Sequence, residues 1–250
     1  MRHRPTALLC CTVLLAAAGC TTVSASADRV PRSAGRTLDA AALRAAAVTA
    51  ADLGDGWTVT VAAPERGSAA PPAARLLADV PACQPVLDAL APAGARSGPL
   101  AQTDLSASRA GRPRETVNAG LLAFGPGGAE RVRSALDQLL SRCTVFRSTP
   151  PAGPARGVGV GGKGAAAKPV SVLHRLQRSD AAVPEGVDAM TAFTLTDESG
   201  GSARSRRAVV ARVGTALALF STLGTAGDPA PAPDERLVRA QAVRLRAAQH

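Results

Sequence analysis

Apolar and polar positions alternate along several stretches of the chain with the period of a strand that buries one face. Trp57, Val59 and Val61 alternate with Thr58 and Thr60, which predicts a β-strand. Residues 100–108 and 115–124 read as an antiparallel pair around 111–113, and a further strand starts at Val145-Phe146. Residues 170–178 and 189–196 make two more strands, and 206–213 and 216–221 a hairpin across Gly214-Thr215. Helical periods are rarer. Val132, Leu136, Leu139, Leu140 and Cys143 share one face of a helix over 129–142. Thr37 reads as the N-cap of a short helix carrying Leu38, Ala41, Ala42 and Ala45. Cys83 opens another over 84–90, with Pro85 tolerated in its first turn, and Asp234 and Glu235 sit at the positive end of a last helix reaching 249. Strands and helices come in blocks, which predicts an α+β fold: a twisted, mainly antiparallel sheet flanked by helices.

The N-terminus departs from this pattern. Arg2 and Arg4 precede an apolar segment over residues 7–19 that ends in small residues just before Cys20. That is the layout of a secretory signal peptide. A spanning helix needs roughly 20 apolar residues, more than this segment has. A cysteine directly after the small residues resembles the lipobox of bacterial lipoproteins, with Ala17 where Leu is commoner. The resemblance implies cleavage before Cys20 and acylation of its thiol. Residues 1–19 are therefore assigned to the signal, 20–36 to a Pro-containing polar tether, and 37–250 to one folded domain.

Composition changes the picture in two ways. The sequence has no Ile, no Tyr, one Asn and two Lys, but many Ala, Arg, Gly and Pro. This is the bias of a GC-rich genome such as an actinobacterium's. The formal net charge is +10, and without Arg2 and Arg4 the remaining 27 basic residues face 19 acidic ones, leaving +8. Nucleic acid is a poor partner for this surplus, because aromatics for stacking are scarce and an exported protein does not meet it. Anionic lipid headgroups, wall polymers or a small envelope ligand are better matched. After the signal and Cys20, the cysteines left are Cys83 and Cys143. They are either a bridge, closing a loop worth roughly 4 kcal/mol, or two free buried thiols. His174 and His250 are too few for a zinc site, and no cofactor is expected.

Motifs add little. Residues 157–162 spell G-x-G-x-x-G, but Pro-rich sequence precedes them and Gly164 stands where a phosphate loop needs Ser or Thr. Asp197-Glu198-Ser199-Gly200-Gly201 is reminiscent of a hydrolase nucleophile, with His174 as the only interior base. Asp52, Asp55, Asp104, Asp180 and Asp188 are scattered acids with no legible pairing. Arg204, Arg206 and Arg207 cluster where the 206–213 strand begins, after a loop expected at 200–203, and suit an anion contact.

Taken in order, the mature chain resembles the PknH-like extracellular domain, the sensor part of certain actinobacterial serine/threonine kinases that also occurs on lipoproteins. The resemblance rests on Leu53 with Gly56-Trp57, Cys83 opening a helix, and the strand over 117–124 leading to the helix that ends in Cys143. The Arg212-Val213-Gly214 hairpin and the final amphipathic helix complete it. It implies a helix-flanked twisted sheet with a ligand-binding cleft, and a Cys83–Cys143 disulfide, one pair where that family tends to have two. With no kinase segment in the sequence, signalling would need an envelope protein partner. The expectation is a non-enzymatic, sensor-like lipoprotein on the outer face of the cell membrane. Its rival is an envelope hydrolase using Ser199 and His174 or a carboxylate pair. A cleft lined by apolar and Arg side chains favours the first, and a converging Ser, His174 and carboxylate the second.

Overall fold

The computed structural model describes residues 35–63, 76–90, 98–150 and 171–250. Strands β1 (Trp57–Val61), β2 (Leu77–Ala78), β3 (Ala101–Arg109), β4 (Arg112–Ala123), β5 (Val145–Thr149), β6 (Val172–Ser179), β7 (Ala189–Ser199), β8 (Ser202–Val213) and β9 (Ala216–Leu223) form one sheet. Among the described residues it has nine strands in the order β1-β3-β4-β9-β8-β7-β6-β5-β2. Every neighbouring pair is antiparallel, as the blocked pattern of elements predicts. The α+β expectation is met.

Alternation along the strands sends side chains to two faces, each covered differently. Helices α1 (Ala40–Ala45), α2 (Ala50–Leu53) and α5 (Glu235–Ala248) cover one face. Their Leu43, Leu53, Leu237 and Leu245 pack with Trp57, Leu105, Leu121 and Phe220 from the strands. Helices α3 (Gln84–Leu90) and α4 (Gly128–Leu139) lie on the other face. There Val86, Leu87, Leu136 and Leu140 pack with Phe146, Phe193, Leu195 and Leu217. The second core takes in both cysteines, and Cys83 is bridged to Cys143 with their Cα atoms 5.6 Å apart. The bridge fastens the start of α3 to the chain just after α4, so it holds both helices on one side of the sheet.

Polar side chains complete the joints where helices meet. Asp39, and not Thr37, caps α1: its Oδ1 accepts the Ala42 N–H at 2.8 Å. Thr37 instead donates to the Phe124 carbonyl at 3.3 Å, tying the incoming chain to the end of β4. Gln241 of α5 is fully buried; it accepts from the Val48 N–H at 2.9 Å and donates to the Ala46 carbonyl at 2.7 Å. Those two backbone groups lie in the buried link between α1 and α2, where an unpaired N–H or C=O is costly. Gln249 does the same for the β8–β9 turn, bonding Thr215 N–H and Val213 carbonyl.

Two elements differ from the sequence expectation. β2 pairs only Leu77 and Ala78 with β5, too few residues to show a period. The loop expected at 200–203 is a tight hairpin: Ser199 faces Ser202, and Gly200 and Gly201 take φ of 57° and 78°. Positive φ at both turn positions suits Gly-Gly and matches the twist of the flanking strands. Pairing therefore continues through Asp197 and Glu198 on β7 and Ala203 to Ser205 on β8. The glycine-rich motif at 157–162, the tether and Cys20 lie outside the described residues.

Candidate functional site

The face that carries the disulfide is covered unevenly. Over the middle of β5 to β9 it is largely apolar and lies beneath α3 and α4. Over β1, β3 and β4 it is polar, because the residues alternating with the buried Leu105, Ala107, Val117 and Ala119 are Asp104, Ser106 and Asn118. The registers place Thr60 opposite Ser106, Ser106 opposite Asn118, and Asn118 opposite Ser221. Four hydroxyl or amide side chains thus form one row across four adjacent strands. In the next row Asp104 faces Gly120, which contributes no side chain.

These two rows floor a groove of about 400 Å³, with Ala89 and Leu90 at the end of α3 as part of its wall. The volume is in the range of small-ligand sites. The disulfide and Gln84, which bonds Ala78 N–H and the Leu76 carbonyl, fix the helix that supplies this wall. The Asp104 carboxylate is half-buried and accepts from Gln102 Nε2 at 3.2 Å through both oxygens. Among the described residues no Lys or Arg pairs with it. The described lining holds Asp104 as its one charged side chain and no Arg, while Leu90, Val210 and Leu219 are apolar, so of the expected apolar and Arg lining it has the apolar part alone.

A second polar cluster lies at the far end of the same face. His174 of β6 stands opposite Asp197 of β7, and its Nδ1 is 2.7 Å from Asp197 Oδ1. Its Nε2 lies 2.6 Å from Ser148 Oγ of β5. Arg206 donates to the other Asp197 oxygen at 3.1 Å. A serine, a histidine and a carboxylate therefore do converge, but the serine is Ser148 and not Ser199. Both ring nitrogens of His174 are occupied by other partners. Ser148 and His174 are 0% and 1% exposed, and the Phe146 ring packs on the imidazole with centroids 4.9 Å apart. A nucleophile needs room for a reacting carbon about 3 Å from its oxygen, and a sealed hydroxyl offers none. The cluster joins β5, β6, β7 and β8 through the hydrogen bonds of Ser148, His174 and Asp197, while Arg206 Nε is buried without a partner among the described residues.

The three arginines do not share a surface. Arg204 and Arg206 alternate with Ala208 and Val210 toward the disulfide face, where Arg206 is engaged by Asp197. Arg207 alternates with Val209 and Ala211 toward the α5 face. A third charged cluster, Asp188 with Arg246 and Arg212, links α5 to β8. Burial alone would raise the Asp188 carboxyl. Arg246, the Gly214 N–H and Arg212 outweigh it and hold the group below the usual carboxylate range. Among the described residues no group of three or more His, Cys, Asp or Glu side chains is placed to hold a metal ion.

No family model matches the chain, and no curated protein matches it. Among solved structures it is similar to the crystal structure of the extracellular domain of PknH from Mycobacterium tuberculosis, with a TM-score of 0.48 and 11% identity. The match covers 85% of this chain and 97% of that one. This is a weak likeness at the level of fold, and it assigns no role to any residue.

Proposed function

We propose that residues 37–250 form a non-enzymatic ligand-binding module of the cell envelope, held at the outer face of the membrane through Cys20. The observation that carries the reading is the row Thr60, Ser106, Asn118 and Ser221 beside Asp104, on the one part of the sheet face that no described helix covers. A buried, helix-stapling disulfide fits an oxidising compartment outside the cytoplasm. The signal-like N-terminus and the cysteine after it support export and lipid anchoring. Binding is tested by native mass spectrometry of the protein purified from its own host: a bound small molecule is the expected result.

One specific observation favours a second reading, a hydrolase. Ser148, His174 and Asp197 have the contacts of a nucleophile, base and orienting acid. Burial of Ser148 opposes it. A fluorophosphonate probe separates the two, because a working serine is labelled in the native protein and a sealed one is not.

A further inference from the structure

Resting on the groove reading above, we infer that the groove takes a small hydroxylated ligand carrying a positively charged amine, with the ammonium placed on Asp104. Charge distribution is the first ground. The chain has 29 basic residues against 19 acidic ones, and several of its other partly buried carboxylates have found cations. Asp52 pairs with Arg244, Glu130 with Arg133 and Arg212, Asp137 with Arg178, Asp188 with Arg246, and Asp197 with Arg206. Asp104 is half-buried in the groove, where among the described residues it meets the neutral amide of Gln102 and no cation. Amide hydrogen bonds leave its charge uncompensated, so a cation arriving from solution gains a charge-assisted contact.

The floor gives the second ground. Thr60, Ser106 and Ser221 hydroxyls and the Asn118 amide each donate and accept, which suits ligand hydroxyls, themselves both donors and acceptors. An anionic ligand finds no described cation in the lining and meets a carboxylate there. Much of the remaining lining, Leu90, Val210 and Leu219 among it, is apolar and suits the carbon face of such a ligand, while a ligand without any polar group would leave the five polar side chains without partners. The volume of about 400 Å³ suits one or two sugar-sized rings.

Three matched probes test this on the full-length protein: glucosamine, which is charged at neutral pH, glucose, which is neutral, and glucuronate, which is anionic. Affinities are read by ligand-observed saturation-transfer NMR. Glucosamine should bind at least about tenfold more tightly than glucose, glucuronate should be weakest, and salt should weaken glucosamine alone. Asp104→Asn should bring glucosamine to the level of glucose, and Asp104→Glu should keep part of the difference. Equal binding of glucosamine and glucose, a preference for glucuronate, or an unchanged preference in Asp104→Asn overturns the amine assignment. Ser106→Trp, which fills the groove, separates the two ideas. If glucose or glucuronate is preferred and Ser106→Trp removes that binding, the groove stands and the amine falls. If no probe binds, or if binding survives Ser106→Trp, the amine assignment falls, and the groove is judged on the molecule carried from the host.

Discussion

His174 and Asp197 face each other across the β6–β7 pair, with Nδ1 and Oδ1 2.7 Å apart. The pair has the look of catalytic machinery, yet its chemistry is turned inward. Asp197 is held on its second oxygen by Arg206, His174 on its second nitrogen by Ser148, and the Phe146 ring closes over the imidazole. We expect Ser148→Ala to cost about 1–3 kcal/mol, because the buried His174 Nε2 is left without its partner. Native protein should remain unlabelled by a fluorophosphonate. Labelling that disappears in Ser148→Ala would move the protein to the hydrolase reading.

Gln241 bridges two otherwise orphaned backbone groups inside the α1–α2–α5 layer. Gln241→Met keeps the side chain's length but leaves the Val48 N–H and the Ala46 carbonyl unpaired. The loss of stability should be about 2–4 kcal/mol in urea unfolding. A change under half a kcal/mol would mean that water reaches the link and pairs with it.

Asp188 makes stability depend on acid. Its folded pKa lies below its ordinary value of 3.8, so the carboxylate's contribution is complete above that value and disappears as pH falls through the lowered one. Asp188→Asn should cost about 2 kcal/mol at pH 7. Its deficit against the parent should shrink as the pH is taken below about 4. A deficit of equal size at pH 7 and pH 2 would show that shape, and not charge, carries the contribution.

The Cys83–Cys143 bridge is the clamp that keeps α3 beside the groove. Cys143→Ser should lower stability by roughly 4 kcal/mol, reading the loop closed by 60 residues through chain entropy. It should also weaken whatever the groove binds, since Ala89 and Leu90 of the wall sit on the freed helix. An unaltered melting temperature would indicate that the two cores hold the helices without it.

Cys20 is expected to carry two acyl chains, because one chain gives only marginal membrane binding. Cys20→Ala should release the protein to the medium or leave it uncleaved. Unchanged size and membrane fractionation in that variant would rule out the lipid anchor.

Much of the fold was legible because its signals are local. The alternation at Trp57 to Val61, the helical face from Val132 to Cys143 and the acidic start of α5 each lie within one element. The length of the β7–β8 hairpin was not legible: Gly200-Gly201 reads equally as a loose loop or as a tight turn, and only cross-strand pairing separates them. Arg204, Arg206 and Arg207, expected as a cluster where the 206–213 strand begins, are divided because strand alternation sends Arg207 to the opposite face. The groove was hidden for a different reason. Thr60, Asp104, Ser106 and Asn118 have the spacing of an ordinary solvent face; the pairing of the strands over 100–108 and 115–124 is legible, but nothing local shows that the strands of Thr60 and Ser221 join them or that α3 stops beside them. Ser148 was missed because its partner His174 is 26 residues away in sequence. A single serine in a short strand carries no signal until β5 and β6 are paired.

The groove reading is tested most directly by what the protein carries from its own host. Full-length protein and its Ser106→Trp variant are purified side by side and compared by native mass spectrometry, with equal thermal stability confirming that both are folded. The account predicts a bound small molecule in the parent, released on denaturation, and its loss in the variant. The same mass retained by folded Ser106→Trp protein, or no bound mass in the parent, would contradict it.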